Sequence, residues 1–181
     1  SSDVCSSDLE NKVWIGTVDS GMDCLDLTSG LFTNYRHQKE NPNSLPINTV
    51  TSFLEAGSIM WIGTQNGGLS LFDKTQKRFT NYTPDSKYPR GINSNSIAHT
   101  AGGLYRDRQG RILISTHFGG VNIVDQYENM FGRVELPLDN PTVNAITKDR
   151  KNRLWLATEK GVLRIDKKKI KAYPGNPGLT V

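Results

Sequence analysis

Val13-Trp14-Ile15-Gly16-Thr17 is the stretch that decides the fold, because close copies of it return three more times along the chain. The later copies are MWIGT at 60–64, ILIST at 112–116 and LWLAT at 154–158. Their second residues are separated by 47, 52 and 42 positions. Each copy opens with consecutive apolar residues rather than an alternation, which is typical of a strand that is buried on both faces. We therefore expect four copies of one structural unit, each built around such a strand.

Other residues keep fixed distances from each of these stretches. A glycine follows the second residue by six or seven positions in every copy: Gly21, Gly68, Gly120 and Gly161. An aspartate comes five residues after each glycine: Asp26, Asp73, Asp125 and Asp166. An aromatic pair follows in the first two copies, Phe32 with Tyr35 and Phe79 with Tyr82, and its third copy is Phe131 with Val134. Glycine turns and aspartate-capped turns between short apolar runs predict four strands in each copy.

A repeat of about 40 to 50 residues that contains four strands is typical of a β-propeller. We expect an all-β protein made of β-propeller blades, each a four-stranded antiparallel sheet. There should be about four blades, forming a partial, open segment of a larger propeller. The predicted units are 10–46 (partial first blade and linker), 47–91, 92–140 and 141–173, followed by a tail at 174–181.

The first nine residues do not fit the repeat. SSDVCSSDL is a short duplication without an apolar period, and we expect residues 1–9 to be a non-native or disordered leader. With those nine residues set aside, the repeat begins at Lys12 and Val13, which belong to the second strand of a blade. This predicts that the first blade lacks its innermost strand. At the other end, Trp155 should be a core residue between blades. An arc with unpaired ends should self-associate.

Composition excludes several classes of protein. Hydrophobic residues make up 35% of the chain, and the net charge is +4. No apolar run approaches the roughly 20 residues that a transmembrane helix needs. Ten basic and three acidic residues fall between positions 148 and 171, but without a stripe of interleaved aromatics, so we expect a solvated face and no nucleic-acid binding. Two cysteines are too few for a disulfide scaffold, and Cys24 is expected to be a buried strand thiol.

No pattern of catalytic or metal-binding residues emerges from the sequence. The histidines, His37, His99 and His117, lack partners at the spacing of a zinc motif. Ser115 precedes His117 by two positions, but it takes the place of Gly16 in the repeat, where a small residue allows close packing of blades. The four repeated aspartates suit turn capping better than calcium binding. We expect no enzyme activity, no cofactor and no metal in this segment, with a propeller lyase or hydrolase as the weaker alternative.

Ligand binding is the more plausible activity. In a propeller, the loops between second and third strands and the linkers between blades open on the same face. The loop tips vary from copy to copy while the frame is constant, as a binding face requires. Sugars are held by planar polar groups and aromatic stacking, which Asn66, His117 and Phe118 could provide. The candidate ligand-binding residues are Asp19, Gln65, Asn66, His117, Phe118 and Glu159; the alternative is that they are ordinary solvated loop tips.

The second copy of the repeat shows a family resemblance most clearly. Its motifs are Trp61-Ile62-Gly63-Thr64, Gly67-Gly68-Leu69, Phe72-Asp73 and Phe79-Thr80-Asn81-Tyr82, preceded by the linker Asn41-Pro42-Asn43-Ser44-Leu45. Over residues 11–173 the sequence resembles the two-component regulator propeller repeat. The third copy departs from this pattern, since Leu113 replaces the tryptophan and Gly102-Gly103 lie in its first strand.

The resemblance implies a place in the periplasmic sensor region of hybrid two-component histidine kinases of the Bacteroidetes type, which are associated with oligosaccharide detection. Such a region is the extracytoplasmic part of an inner-membrane protein. The implied partners are an oligosaccharide ligand, the missing blades of the same parent chain and a second copy in a full-length homodimer. The kinase activity would belong to the full-length parent. Alternatively, these blades only complete the propeller or mediate dimer contacts, with no ligand site.

Overall fold

The computed structural model describes residues 4–7, 11–84, 91–98, 103–125, 130–139, 141–166 and 169–175. These residues contain sixteen strands and no helix, arranged as four antiparallel sheets of four strands. The first two blades are β1 (Val4–Ser7), β2 (Lys12–Gly16), β3 (Met22–Asp26) and β4 (Phe32–Tyr35), then β5 (Val50–Ala56), β6 (Ile59–Thr64), β7 (Leu69–Asp73) and β8 (Arg78–Tyr82). The last two are β9 (Leu104–Arg106), β10 (Ile112–Thr116), β11 (Gly120–Asp125) and β12 (Met130–Val134), then β13 (Val143–Lys148), β14 (Leu154–Thr158), β15 (Gly161–Asp166) and β16 (Lys169–Pro174). The expected all-β fold of four-stranded blades is confirmed.

Every blade has the same meander order, with the repeated stretch as its second strand. β6, for example, pairs with β5 on one side and with β7 on the other, so that Trp61 lies between Leu54 and Leu71. The innermost strands β5 and β13 each carry a register irregularity near their start. Such bulges increase local twist and bend the strand. Successive innermost strands contact one another in the order β1, β5, β9, β13.

The blades are joined by three apolar clusters, one at each interface. Trp14 packs against the second blade, where Phe72 and Phe79 belong to the same cluster, and is 3% exposed. Trp61 packs in the same way against the third blade and is 5% exposed. In the third blade Leu113 takes the position of the tryptophan and is buried against the fourth blade. The departure of the third copy from the repeat pattern therefore leaves its packing intact.

Close approach of the blades depends on the small residue that lies two positions after the repeated tryptophan. A Cβ on Gly16 would come within 2.6 Å of a Val50 methyl group in the next blade. In the third blade Ser115 fills the same position, is fully buried, and donates a hydrogen bond from Oγ to the Gly103 carbonyl at 3.1 Å. The structural interpretation of Ser115, rather than a nucleophilic one, agrees with this geometry.

Two of the four predicted aspartate turns, at Asp26 and Asp73, show the expected geometry, and the turn after Asp166 runs into residues 167–168 outside the described ranges. Asp26 Oδ1 accepts hydrogen bonds from the backbone N–H groups of Thr28 and Ser29, and these bonds lower its pKa. Asp73 Oδ1 accepts the same pair of bonds from Thr75 and Gln76. Some other expectations fall outside the described residues. They concern the side chains of Asp125 and Phe131, the residues His99 and Gly102, and positions 176–181 of the tail.

A second kind of aspartate turn connects the first and second strands of the last two blades. It has the sequence Asp-Arg-x-x-Arg, at 107–111 and again at 149–153. In each turn the last arginine is hydrogen-bonded to the aspartate that begins the turn. Arg111 Nε donates to Asp107 Oδ2 at 2.7 Å, and Arg153 Nε donates to Asp149 Oδ2 at 2.7 Å. Asp149 Oδ2 also accepts from Trp155 Nε1 at 2.9 Å. The bonds from Arg153 and Trp155 hold the pKa of Asp149 well below its ordinary value.

Two expectations about the ends of the arc are corrected. The first blade does not lack its innermost strand, because β1 pairs with β2 from Val4 opposite Gly16 to Ser7 opposite Val13. That residues 1–9 are non-native stays a prediction.

Trp155 is not a core residue between blades; it is partly exposed, whereas Leu156 and Leu163 fill the interface with the third blade. The reason is that the tryptophan side of each blade faces the following blade, and no described residue covers that side of the fourth.

The segment is an open arc, as expected. β1 pairs only with β2, and among the described residues no strand of the fourth blade pairs with one of the first. Cys24, predicted to be a buried strand thiol, lies in β3 and is buried, with 6% of its surface exposed.

Candidate functional site

One hydrogen bond, repeated at three blade junctions, defines the face on which the loop tips lie. The N–H of Gly21 donates to the Asn48 carbonyl, that of Gly68 to Asn95, and that of Gly120 to Pro141, at 2.7–2.9 Å. Each bond ties the loop between second and third strands to the linker that leads into the next blade. Gly68 has a φ of 78°, and a Cβ there would collide with the Tyr82 carbonyl, so only glycine fits. The predicted convergence of these loops and linkers on one face is therefore present.

Four of the six predicted ligand-binding residues lie together in one pocket on this face. The pocket has a volume of about 390 Å³ and lies between the second and third blades. Its lining residues are Gln65, Asn66, Ser94, Asn95, Ser96, His117 and Phe118. Two loop tips form its sides, and the linker between the two blades forms the wall that joins them.

Ser96 connects the parts of this pocket. Its Oγ donates to Asn66 Oδ1 at 2.9 Å and accepts from the Asn66 backbone N–H at 3.3 Å. Its carbonyl accepts from the N–H of His117 at 3.0 Å. Both loop tips are thus attached to a single linker residue, and their relative positions depend on it. The pocket is pre-organised by bonds between backbone and side chains rather than by a large apolar core.

Phe118 and Asn66 occupy the left-handed region of backbone space, with φ values of 60° and 69°. Asparagine adopts this region readily, but a bulky aromatic residue does so only under strain. The Phe118 side chain is nonetheless 71% exposed, so no burial in this chain compensates for the strain. Strained residues of this kind cluster at ligand-binding sites. The geometry holds an aromatic ring in solvent at the rim of a polar pocket.

A buried polar layer holds the His117–Phe118 loop from below. Asn93 Oδ1 accepts from Asn122 Nδ2 at 2.6 Å, and Asn93 Nδ2 donates to the Gly119 carbonyl. Thr116 Oγ1 donates to the Gly120 carbonyl at 3.0 Å. Asn122 is fully buried, and the low local dielectric strengthens its hydrogen bond to Asn93. This layer restricts the conformations of the loop above it.

The linker residues Ser94, Asn95 and Ser96 were not predicted as part of the site. A signal for them was present, because linkers between blades were expected to open on the same face as the loop tips. Their short polar side chains follow Ile92, which is buried in the apolar cluster of the interface. Asparagine and serine after a buried apolar residue therefore mark where this linker leaves the core and reaches the face.

The two remaining predicted residues do not reach the pocket. Asp19 lies in the corresponding loop of the first blade, where its Oδ1 accepts from the neighbouring Ser20 Oγ at 3.1 Å. Glu159 lies in the corresponding loop of the fourth blade and is exposed. They belong to the same face, but neither is among the residues that line the space between the second and third blades.

The described part of the chain contains no group of three or more His, Cys, Asp or Glu side chains that could hold a metal ion. It also contains no helix long and apolar enough to cross a membrane.

Comparison with known proteins identifies the repeat. The family model for the two component regulator propeller matches residues 137–160. No curated protein sequence matches the chain significantly. Among solved structures, the chain is similar to the extracellular domain of the putative hybrid two component system BT3049 from B. thetaiotaomicron, with 24% identity and a TM-score of 0.76. The corresponding domain of BT4673 from the same organism gives 18% identity and a TM-score of 0.73.

These alignments cover 92% of this chain but only 22% and 21% of the two extracellular domains, so the chain spans about a fifth of their length. A virginiamycin B lyase from Staphylococcus aureus, solved with quinupristin, aligns with 16% identity and a TM-score of 0.68, over 96% of this chain and 55% of the lyase. The family match thus covers one repeat at the start of the fourth blade, and the solved structures show that the chain has their propeller-blade fold, here arranged as four consecutive blades.

Proposed function

We propose that this chain is a ligand-sensing segment of a two-component sensor, and that it binds an oligosaccharide in the pocket between its second and third blades. The observation that carries the proposal is the convergence of Gln65, Asn66, His117 and Phe118 on one pocket with the linker 94–96. Those four residues are separated by up to 53 positions in the chain. The repeated bond between loop and linker brings them together on an otherwise constant frame.

The chemistry of the pocket suits an uncharged sugar. Among the residues that the structure describes, its lining contains three carboxamide side chains, two serine hydroxyls, one imidazole and one aromatic ring, and no Asp, Glu, Lys or Arg. Carboxamides and hydroxyls both donate and accept hydrogen bonds, as sugar hydroxyls require. The exposed ring of Phe118 offers an apolar face on which a pyranose can stack.

The support for the proposed cellular setting comes from the similar solved structures rather than from the pocket. The two similar domains from B. thetaiotaomicron are described as extracellular parts of hybrid two component systems. We place this chain correspondingly outside the cytoplasm, in the periplasm, as part of an inner-membrane sensor. Further blades of the parent chain, a histidine kinase output and a homodimer of the full-length protein belong to the same proposal. A ligand that contacts both blades would favour one relative position of the second and third blades. The resulting change in blade packing would be transmitted to the neighbouring blades.

Amide-shift mapping tests the proposal directly. Malto-, xylo-, arabino- and galacto-oligosaccharides are titrated separately into the ¹⁵N-labelled chain. Binding of one of them should give saturable shifts at Asn66, Ser96, His117 and Phe118. Phe118→Ala should weaken that binding, because the stacking surface is removed while the loop bonds to the backbone remain. Leu31→Ala is the matched control, since Leu31 is equally exposed, at 69% against 71%, but lies at a turn of the first blade.

Two outcomes would count against the sugar pocket. Shifts confined to the turns at Asp26, Asp73 and Asp125 would move the binding site to the opposite face. Failure of all four sugar classes to shift the pocket residues would favour the alternative in which these blades only complete the propeller or mediate dimer contacts.

A further inference from the structure

A second cleft lies on the face opposite the pocket, between the third and fourth blades. It has a volume of about 280 Å³, and its lining comes mainly from the two Asp-Arg-x-x-Arg turns. The basic lining residues are Arg108, Arg111, Lys148 and Lys151, and the acidic ones are Asp107 and Asp166. We propose that this cleft binds a tetrahedral oxyanion, a sulfate or phosphate group, through Arg108, Lys148 and Lys151.

The ion pair within the first turn determines which of these charges are available. Arg111 and Asp107 neutralise each other, with an Nη2–Oδ2 distance of 2.7 Å in addition to the bond from Nε. Within the described ranges, no ion pair is formed by Arg108, Lys148 or Lys151. Within the described part of the lining, three cations without an ion-pair partner are accompanied by one further carboxylate, that of Asp166.

Apolar residues in the same lining strengthen the attraction for an anion. Tyr105, Leu154 and Ile165 line the cleft beside the charged groups and belong to the apolar cluster between the third and fourth blades. Charges that act beside apolar walls are screened less than charges on an open surface, and a cleft of one sign focuses the field inside it. Arginine and lysine donate charge-assisted hydrogen bonds to sulfate and phosphate oxygens, which are the strongest class of such bonds.

The equivalent position one blade earlier lacks this imbalance. There the turn between first and second strands is Ala56-Gly57-Ser58, without a charged residue. The nearby Lys74 is paired with Glu55. The turn of the second blade therefore does not supply the positive charge that the turns of the third and fourth blades supply.

The cleft is independent of the proposed sugar pocket. Arg111 immediately precedes β10 and His117 immediately follows it, so the two sites are at opposite ends of one strand, about 20 Å apart at the usual rise per residue. Either site can be tested without the other.

Titration with the simple ions tests the proposal. Sodium sulfate and sodium phosphate are added separately to the full 181-residue chain, up to about 20 mM and at an ionic strength held constant with chloride because screening weakens surface charge attraction. Saturable amide shifts are expected at Gln109, Lys151 and Asn152. Because sulfate stabilises proteins in general by exclusion from their surface, the readout is the site-specific shift rather than the melting temperature.

Charge-removing variants inside and outside the cleft separate local binding from bulk electrostatics. The double variant Lys148→Gln/Lys151→Gln should weaken binding about tenfold or more, as expected for the loss of two charge-assisted hydrogen bonds. Arg150→Gln is the control, because Arg150 is exposed in the same turn but does not line the cleft. Its effect should stay below about twofold, since a solvated charge outside the site acts only through a screened field. Circular dichroism of each variant confirms that it is folded.

Glucosamine 6-sulfate and galactose 6-phosphate distinguish the source of the oxyanion. Binding tighter than that of the inorganic ions indicates an esterified sugar, and equal binding indicates a free ion; both support the cleft. Shifts that rise linearly without saturation, or an equal loss of binding in Arg150→Gln, would overturn the proposal.

Discussion

The ring of Trp14 in the first blade meets the ring of Phe72 in the second edge to face, with centroids 5.6 Å apart. Trp155 occupies the same position in the fourth blade, but its ring stacks on Tyr173 of its own blade, at 5.6 Å and 28°. Arg153 and Arg164 lie over its ring. One repeat position thus has two environments, and the difference is whether a following blade covers it. This contrast leads to the first prediction.

Trp14→Ala should destabilise the chain by about 3–5 kcal/mol, because it removes a buried aromatic side chain from between two blades. Trp155→Ala should cost about 1–2 kcal/mol, since it removes a partly exposed ring and one hydrogen bond. Urea unfolding followed by circular dichroism measures both. Equal losses for the two variants would mean that the tryptophan side of the fourth blade is as well covered as that of the first.

Phe118→Gly should be more stable than Phe118→Ala by about 1 kcal/mol. Alanine keeps the steric penalty of a positive φ, whereas glycine adopts that conformation without strain. Both variants lose the same exposed ring, so the difference between them isolates the backbone. Thermal unfolding of the pair gives the value. If alanine were equal to glycine or better, the loop would not be strained at this position.

Asp149 should make the stability of the chain sensitive to acid. Its pKa is lowered in the folded state by Arg153 and Trp155, from an ordinary value of 3.8. The unfolded chain therefore takes up the proton first as the pH falls. The stabilisation is complete above about pH 4 and is progressively lost below it, down through the folded pKa. In Asp149→Asn, the melting temperature should accordingly fall less steeply between pH 4 and about pH 2.

Trp155→Phe provides the matched variant for this titration, because it retains an aromatic ring and removes only the indole N–H donor. The pKa of Asp149, followed by the carbon shift of its carboxyl group, should move towards the ordinary value. An unchanged titration would show that Arg153 alone accounts for the lowered pKa.

The isolated chain should associate through the exposed side of its first blade. Ile15 is only half-buried there, whereas its counterpart Ile62 in the second blade is completely buried by the first. Repeat arrays depend on neighbouring units to cover such faces. Light scattering should show a mass that increases with concentration. Ile15→Lys should reduce the association, and Val18→Lys, which adds the same charge on a loop of that blade, should not. A mass that stays at the value of the monomer at every protein concentration would contradict this expectation.

Local regularities made most of the fold predictable. The glycine and aspartate positions follow from backbone conformations and side-chain bonds that act over a few residues, so the repeat locates the turns without knowledge of the tertiary structure. The apolar runs around Trp14 and Trp61 likewise predict strands that are covered on both sides. The shared face of the loop tips follows from the same repeat, which is why Gln65, Asn66, His117 and Phe118 could be singled out.

Contacts between distant parts of the chain decided the rest. Val4–Ser7 has no apolar period of its own and becomes a strand because the unpaired edge of β2 offers backbone donors and acceptors in register. Trp155 occupies the same repeat position as Trp14, and its greater exposure follows from the lack of a described blade against that side. The pocket exists because the linker through Ser96 passes between two loop tips, a path set by the packing of the second blade on the third. Local sequence therefore determined the blade, whereas the neighbour of each blade determined what is buried and where a ligand could bind.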